Sequence, residues 1–244
     1  MKVLILFILI LATQVLHASI SIISDLDDTI KITKASGNPF DLIGKEVYTG
    51  MPEFLTEAKS YTNSLYILSA SPSFMEKLIK KALLKHQIEY KQLILRSDIQ
   101  EETFKYKLRK IIEIFESNSD DFILIGDDYS KDPEVYGEIK RLYPGRVLEI
   151  YIHSVNGRED NVEAIRYWTS FDLSLREFLQ GRLSSEGVNN SIERLTNESK
   201  LNHIFPKNAD CPKVSDVYDW QLQTVFQQEA KDITDKLLSI CLQR

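Results

Sequence analysis

Residues 20–29 read Ile20-Ser21-Ile22-Ile23-Ser24-Asp25-Leu26-Asp27-Asp28-Thr29, and residues 122–128 read Phe122-Ile123-Leu124-Ile125-Gly126-Asp127-Asp128. Both are short, β-rich apolar runs that break off into carboxylates. Near-continuous apolarity predicts strands covered on both faces, as in a parallel sheet. Further runs of this kind lie at Leu65–Leu68, Leu93–Leu95 and Val147–Ile152. Helical patterns separate them. Phe74, Leu78 and Ala82 align beside Met75, Ile79 and Leu83 at a spacing of four, Leu108, Ile111, Ile112 and Phe115 form another stripe, and a helix is expected from Pro52 to about Tyr61. Strand alternating with helix predicts an α/β fold, a doubly wound and mostly parallel sheet with helices on both sides. In such sheets chemistry gathers beyond the carboxyl ends of the strands, where both acidic clusters fall.

If both strands are central, Asp25, Asp27, Asp127 and Asp128 converge on one crevice, with Asp132 a short loop later. Their mutual repulsion is tolerable only with a cation present. Oxygen ligands select a hard divalent ion, most economically Mg²⁺. Either cluster alone has a structural explanation, since Asp is common in loops and at helix starts and Asp132-Pro133-Glu134 is a good one. The register of the pair with two strands is what points to a site. Leu68-Ser69-Ala70-Ser71-Pro72 places a hydroxyl and free backbone N–H groups at the start of a helix, where a phosphate can sit. Ser71 doubles there as an N-cap. Lys105, Lys107 and Lys110 are candidates to neutralise phosphate charge, and each is equally a candidate solvated helix charge.

In this order, Asp25-Leu26-Asp27-Asp28-Thr29, Ser69, a helical lysine, and Gly126-Asp127 with Asp132 resemble the four motifs of the haloacid dehalogenase phosphatase superfamily. Three stretches are also similar to the catalytic domain of the actin-patch phosphatidate phosphatase family, relatives of the lipins: Ile23–Lys31, Leu68–Pro72, and Phe122–Tyr136 continuing into Tyr143–Val147 and Ile150–Ile152. The likeness covers about residues 20–153. It implies a haloacid dehalogenase-like Rossmannoid core and a Mg²⁺-dependent phosphomonoester hydrolase working through an aspartyl-phosphate on a phosphorylated substrate, possibly a membrane lipid phosphate. The alternatives are a general phosphatase for nucleotides or sugar phosphates and a non-catalytic lipid-phosphate binding domain. An intact Asp25 and Asp27 pair argues against the last.

Residue by residue, the resemblance implies that Asp25 is the nucleophile and Asp27 the acid and base. Asp25, Asp127 and the backbone carbonyl of Asp27 would hold the metal, supported by Asp132. Ser69 and the lysine would bind the transferring oxygens, with Thr29 and Ala70 beside the substrate. The family lysine precedes an Ile-x-x-Ile pattern by four residues, which Lys107 matches through Ile111 and Ile114, with Lys105 in reserve. There are two departures. Asp128 stands where the family has a small residue, and His153-Ser154 where it has Arg-Asp; both bear on lipid recognition.

Between Asp25 and Ser69 only Lys31–Gly50 is free of expected helix and strand, enough for a flap but not a cap domain. A minimal cap implies an open site, suited to a bulky phosphomonoester or one presented at a surface. A net charge of −6 argues against a nucleic-acid partner and mildly against anionic bilayers. Lys2 precedes the apolar run Val3–Ala12, then Thr13-Gln14 and Ala18, the layout of a secretory signal peptide. The run is too short to span a bilayer. The expected organisation is a signal peptide at 1–18, a phosphatase core at 19–153 and a mainly helical C-terminal extension at 154–244, ending in a helical tail from about Val217 to Leu242. The mature protein is expected to be exported, periplasmic or secreted, with no stable transmembrane segment. Cys211 and Cys241 fit an oxidising compartment as a disulfide; alternatively Cys241, on a stripe with Ile233, Leu237 and Ile240, is a buried thiol.

Overall fold

β1 (Ile20–Ser24) occupies the interior of the sheet because neither of its faces tolerates water: successive strand residues point to opposite sides, and Ile22 and Ile23 are both buried. It pairs in parallel with β2 (Thr62–Pro72) on one side and β4 (Asp121–Asp127) on the other. β3 (Gln92–Arg96) adds outside β2, and β5 (Val147–His153) and β6 (Ile165–Tyr167) outside β4. The order is β3-β2-β1-β4-β5-β6, all parallel. This computed structural model describes residues 19–33, 44–158, 161–205, 209–211 and 225–243.

The crossovers are α1 (Met51–Ala58), α2 (Glu76–Lys85), α3 (Thr103–Ser117) and α4 (Asp132–Leu142). Alternation along the strands divides the core between them. Ile22, Ile67, Ile123 and Ile125 pack with Phe54 and Leu55 of α1 and Ile79 and Leu83 of α2. Ile23, Leu68, Phe122 and Leu124 pack with Ile111 and Phe115 of α3 and Val135 and Ile139 of α4. The doubly wound α/β fold is therefore present as expected, built on the five expected strands.

Two features differ from expectation. β6 is a strand of three residues with Arg166 at its centre, too short and too polar to register as an apolar run, and it carries the sheet past residue 153. In α2 the sheet covers one side only: Ile79, Ala82 and Leu83 are buried, while Phe74 and Leu78 of the parallel row face solvent.

Beyond β6, α5 (Ser170–Leu179), α6 (Ser185–Asn197), α7 (Leu201–Ile204) and α8 (Gln227–Leu242) share a further core of Phe171, Leu175, Val188, Leu195, Ile233 and Leu237. Asn190 of α6 donates to Glu57 of α1 at 2.8 Å, and Arg194 pairs with Glu53 at 2.8 Å, fastening this layer to the sheet domain. Cys211 and Cys241 form a disulfide with Cα atoms 5.9 Å apart, which decides between the two readings of Cys241. The first part of the expected tail helix, and residues 1–18, lie outside the described residues. Among the described residues no helix is long and apolar enough to cross a membrane. At the expected flap, the Ile32 amide donates to Glu46 O at 3.1 Å and the Tyr48 amide to Ile30 O at 2.9 Å, so the two ends of that segment lie side by side. Its residues 34–43 are outside the described residues.

Candidate active site

After β1 the Asp25 amide still donates to Ile125 O of β4 at 2.8 Å, which carries the Asp25 carboxylate just past the end of the sheet. The chain then doubles back, with the Ile30 and Lys31 amides reaching Leu26 O at 3.0 and 2.8 Å. Asp28 takes φ 59° in this turn, a left-handed conformation that Asp tolerates better than most residues. His153 Nδ1 lies 2.7 Å from the Asp28 carbonyl and its ring stacks on Tyr167, pinning the turn from the β5 side. The turn brings Asp25 and Asp27 to the wall of a cavity of about 570 Å³. Thr29 points the other way: it is fully buried, is not on that wall, and its hydroxyl has no partner among the described residues.

β4 delivers the second set. Gly126 is needed because a Cβ at that position would lie 2.6 Å from the Asp132 side chain. Asp132, the first residue of α4, accepts from the Asp127 amide at 3.2 Å through Oδ2 and from Lys107 Nζ at 2.5 Å through Oδ1. The same ammonium donates to Asp25 Oδ1 at 2.7 Å. Asp127 Oδ1 accepts the amides of Tyr129 and Ser130 at 2.7 and 2.8 Å. Asp25, Lys107, Asp127 and Asp132 are all buried.

One carboxylate oxygen each from Asp25, Asp127 and Asp132 lies within 4.8 Å of the others. Burial raises the Asp25 carboxyl to a pKa of about 7, opposed by Lys107 and reinforced by Asp132 and Asp27. Burial and the charges of Asp132 and Asp25 likewise hold Asp127 well above the usual carboxylate range. Burial alone would lower Lys107, but Asp132, Asp25 and Asp127 outweigh it and keep the ammonium charged. Were all three carboxylates ionised, the cluster with its one ammonium would carry a formal charge of −2. A divalent cation removes that imbalance, and an all-carboxylate donor set suits a hard ion such as Mg²⁺. The residues present fit a metal.

Of the three candidate lysines, Lys107 is the one brought here. Lys105 is exposed and paired with Glu102 at 3.5 Å, and Lys110 is paired with Glu113 at 2.7 Å. Ser69 is fully buried and donates to Asp27 Oδ2 at 2.8 Å, as Ser71 does at 2.7 Å, while the Ser71 amide donates to Ser69 Oγ at 2.9 Å. Ser69 thus orients Asp27 from behind, and Ala70 and Ser71 form the wall. Asp128 turns away from the cavity. It accepts the amides of Val155 and Asn156 at 2.8 and 2.7 Å and an Arg166 N–H at 3.1 Å, so its additional charge anchors the loop after β5.

The wall also contains Arg96, Lys131 and Arg158, which sequence reasoning did not single out. Arg96 ends β3 and was reachable by the strand-end rule that found the carboxylates. Lys131 and Arg158 lie on loops that converge only through the pairing of β4 with β5.

The profile of the family described as Phosphatidate phosphatase APP1, catalytic domain, matches residues 20–154. The chain belongs to this family. Membership marks it as a phosphatase, and the matched region contains every residue of the acidic cluster together with Lys107, Ser69 and Ser71. An uncharacterized protein of Schizosaccharomyces pombe is 25% identical over 177 residues, covering 66% of this chain and 29% of the relative. The chain therefore spans less than a third of that relative's length. No solved structure matches the chain significantly.

Proposed function

We propose that the protein is an exported, Mg²⁺-dependent phosphomonoester hydrolase that acts on phosphatidate or a closely similar lipid phosphate. The observation that carries this reading is the buried cluster of Asp25, Asp127, Asp132 and Lys107 at the base of an open cavity, inside the family match. Asp25, Asp127 and Asp132 would hold the Mg²⁺. The ion, when bound, neutralises charge between carboxylates and phosphate and polarises the phosphoryl group.

Asp25 Oδ attacks phosphorus and the bond from phosphorus to the leaving oxygen breaks, leaving an aspartyl-phosphate. Asp27, oriented by Ser69 and Ser71, supplies the proton that the leaving alkoxide takes up. Asp27 then removes a proton from the water that attacks phosphorus, which releases inorganic phosphate and regenerates Asp25. Lys107 lies against Asp25 and meets the negative charge that grows on the transferring oxygens. Arg96 on the wall favours a substrate with an anionic group, while Lys131 and Arg158 beside it share Glu134 at 3.2 and 2.7 Å. Export is supported by the apolar N-terminal run after Lys2 and by the Cys211–Cys241 disulfide, which persists in oxidising compartments.

The test is phosphate release from phosphatidate, nucleotides and sugar phosphates, each with and without Mg²⁺. The expected result is Mg²⁺-dependent release that is fastest with phosphatidate and absent for Asp25→Asn. Faster release from the soluble esters would replace the lipid reading by a general phosphatase, and no release from any of them would end the hydrolase reading.

A further inference from the structure

The exposed side of α2 is an unusual surface for a chain of net charge −6. Phe74, in the single 3₁₀ turn that precedes α2, is 81% exposed and Leu84 77%. Isolated exposed apolar residues are ordinary, but these two line one shallow depression together with Lys77, Lys80 and Lys81. Glu76 is the one acidic residue on its wall, and it pairs with Lys80 at 2.6 Å. Among the described residues no carboxylate lies within ion-pair distance of Lys77 or Lys81. Strong local positive charge and large apolar side chains therefore coincide on one helix face.

That face adjoins the mouth of the active site. Pro72 and Met75 are on the catalytic cavity wall, and Phe74 lies between them in the chain and faces outward. An interfacial helix has this pattern, with apolar side chains entering the boundary between headgroups and acyl chains and lysines on long stems contacting the anionic headgroups. Charges elsewhere on the protein are screened over roughly 8 Å at physiological salt, so the local patch governs the encounter rather than the net charge.

We propose that the exposed face of α2, led by Phe74 and flanked by Lys77 and Lys81, docks the protein on an anionic bilayer and sets the mouth of the catalytic cavity beside the lipid surface. This deepens the proposed lipid-phosphate activity and rests on it. A substrate that stays in the bilayer need then expose only its headgroup to reach Asp25.

The experiment is co-sedimentation of the full chain with phosphatidylcholine vesicles with and without phosphatidylserine, which is not a phosphomonoester and reports docking apart from turnover. Hydrolysis of water-soluble dioctanoyl phosphatidate is measured in parallel. The wild type is expected to bind the phosphatidylserine vesicles and to be released by salt. Lys77→Glu/Lys81→Glu should weaken that binding on the order of tenfold or more, Phe74→Ser should weaken it as well, and Asp25→Asn should bind as the wild type does. Hydrolysis of the soluble lipid should stay at the wild-type rate in the α2 variants, and hydrolysis of bilayer phosphatidate should fall. Lys77→Gln/Lys81→Gln, checked by thermal melting, separates loss of the patch from misfolding. The proposal is overturned if the wild type shows no preference for anionic vesicles, or if folded α2 variants bind as well as it does. If vesicle binding follows expectation and neither phosphatidate is hydrolysed, the docking surface stands and the lipid-phosphatase reading fails.

Discussion

Two groups of buried charges, one against β5 and one at the ends of β1 and β4, obey different rules. Where α5 meets β5, Glu177 is fully buried and accepts from Arg182 at 2.6 and 2.8 Å and from the Tyr151 hydroxyl at 2.5 Å. Arg182 also lies 3.9 Å from Glu149, which Arg176 meets at 3.5 Å, so two carboxylates meet two guanidiniums, and the Glu177 backbone carbonyl takes the amides of Arg182 and Leu183 at 2.9 and 3.1 Å. None of these residues lines the catalytic cavity. At the ends of β1 and β4, three carboxylates share a single ammonium and the cavity opens onto them. Both groups are buried, but only the second is unbalanced and accessible. Burial of charge, by itself, says nothing about function; a deficit of positive charge beside open space does. Asp128, fully buried and met by Arg166 and backbone amides, belongs with the structural group although it adjoins Asp127 in sequence.

The contrast can be broken most forcefully at Asp25. Asp25→Asn keeps the shape and removes both the proposed nucleophile and one of the repelling charges. Turnover should fall by roughly 10⁴-fold or more, while the metal-free protein melts no lower than the wild type. A variant that still turns over near the normal rate would falsify the covalent role. Lys107→Met should cost activity and stability together, because it leaves the carboxylates with no counter-charge; about 3–5 kcal/mol is the usual penalty for stripping one partner from a buried pair. Urea unfolding without metal measures it, and an unchanged midpoint would contradict the electrostatic account.

Arg182→Met separates the two groups. It strands Glu177, so stability should drop by about 3 kcal/mol, yet phosphate release at moderate temperature should stay close to normal. A selective loss of turnover in the folded variant would show that the balanced group is not merely structural. The smallest effect is that of the ion. Mg²⁺ at about a hundred times its dissociation constant should add roughly 2–3 kcal/mol to the wild type. Calorimetry with and without chelator reads this, and Asp127→Asn should lose the gain. An equal gain in that variant would place the ion elsewhere.

How much of this was legible in the chain depends on whether a residue's position follows from its own strand. Asp25, Asp27 and Asp127 were indexed by the apolar strands that point straight at them, whereas the residues alone left Lys105, Lys107 and Lys110 open and only the family resemblance, through Ile111 and Ile114, preferred Lys107. Ser69 was indexed as a strand-end phosphate ligand, but its hydrogen bond to Asp27 depends on the fold of another segment and was not legible. Arg158 and the pairing of Glu177 with Arg182 were invisible, since each depends on loops or helix ends brought together by the sheet. At α2, two adjacent apolar rows, each with a spacing of four, mark a helix without saying which of their residues are covered. Only the sheet's position decides that Ile79 and Leu83 are covered and Phe74 is not.

The strand order also dictates when a growing chain acquires its chemistry. β1 is synthesised first yet ends between β2 and β4, so one edge pairs early and the other waits. Asp25 and Lys107 are 82 positions apart, and Asp127 and Asp132 follow later still. Until β4 inserts, the nascent strand carries unpaired backbone groups, the kind of edge that recruits other chains. Insertion of β4 seals that edge and, in the same event, brings Asp127 and Asp132 to Asp25. On the proposed mechanism a half-built sheet cannot hydrolyse anything, and catalytic competence during refolding is a clock for closure of the β1 edge.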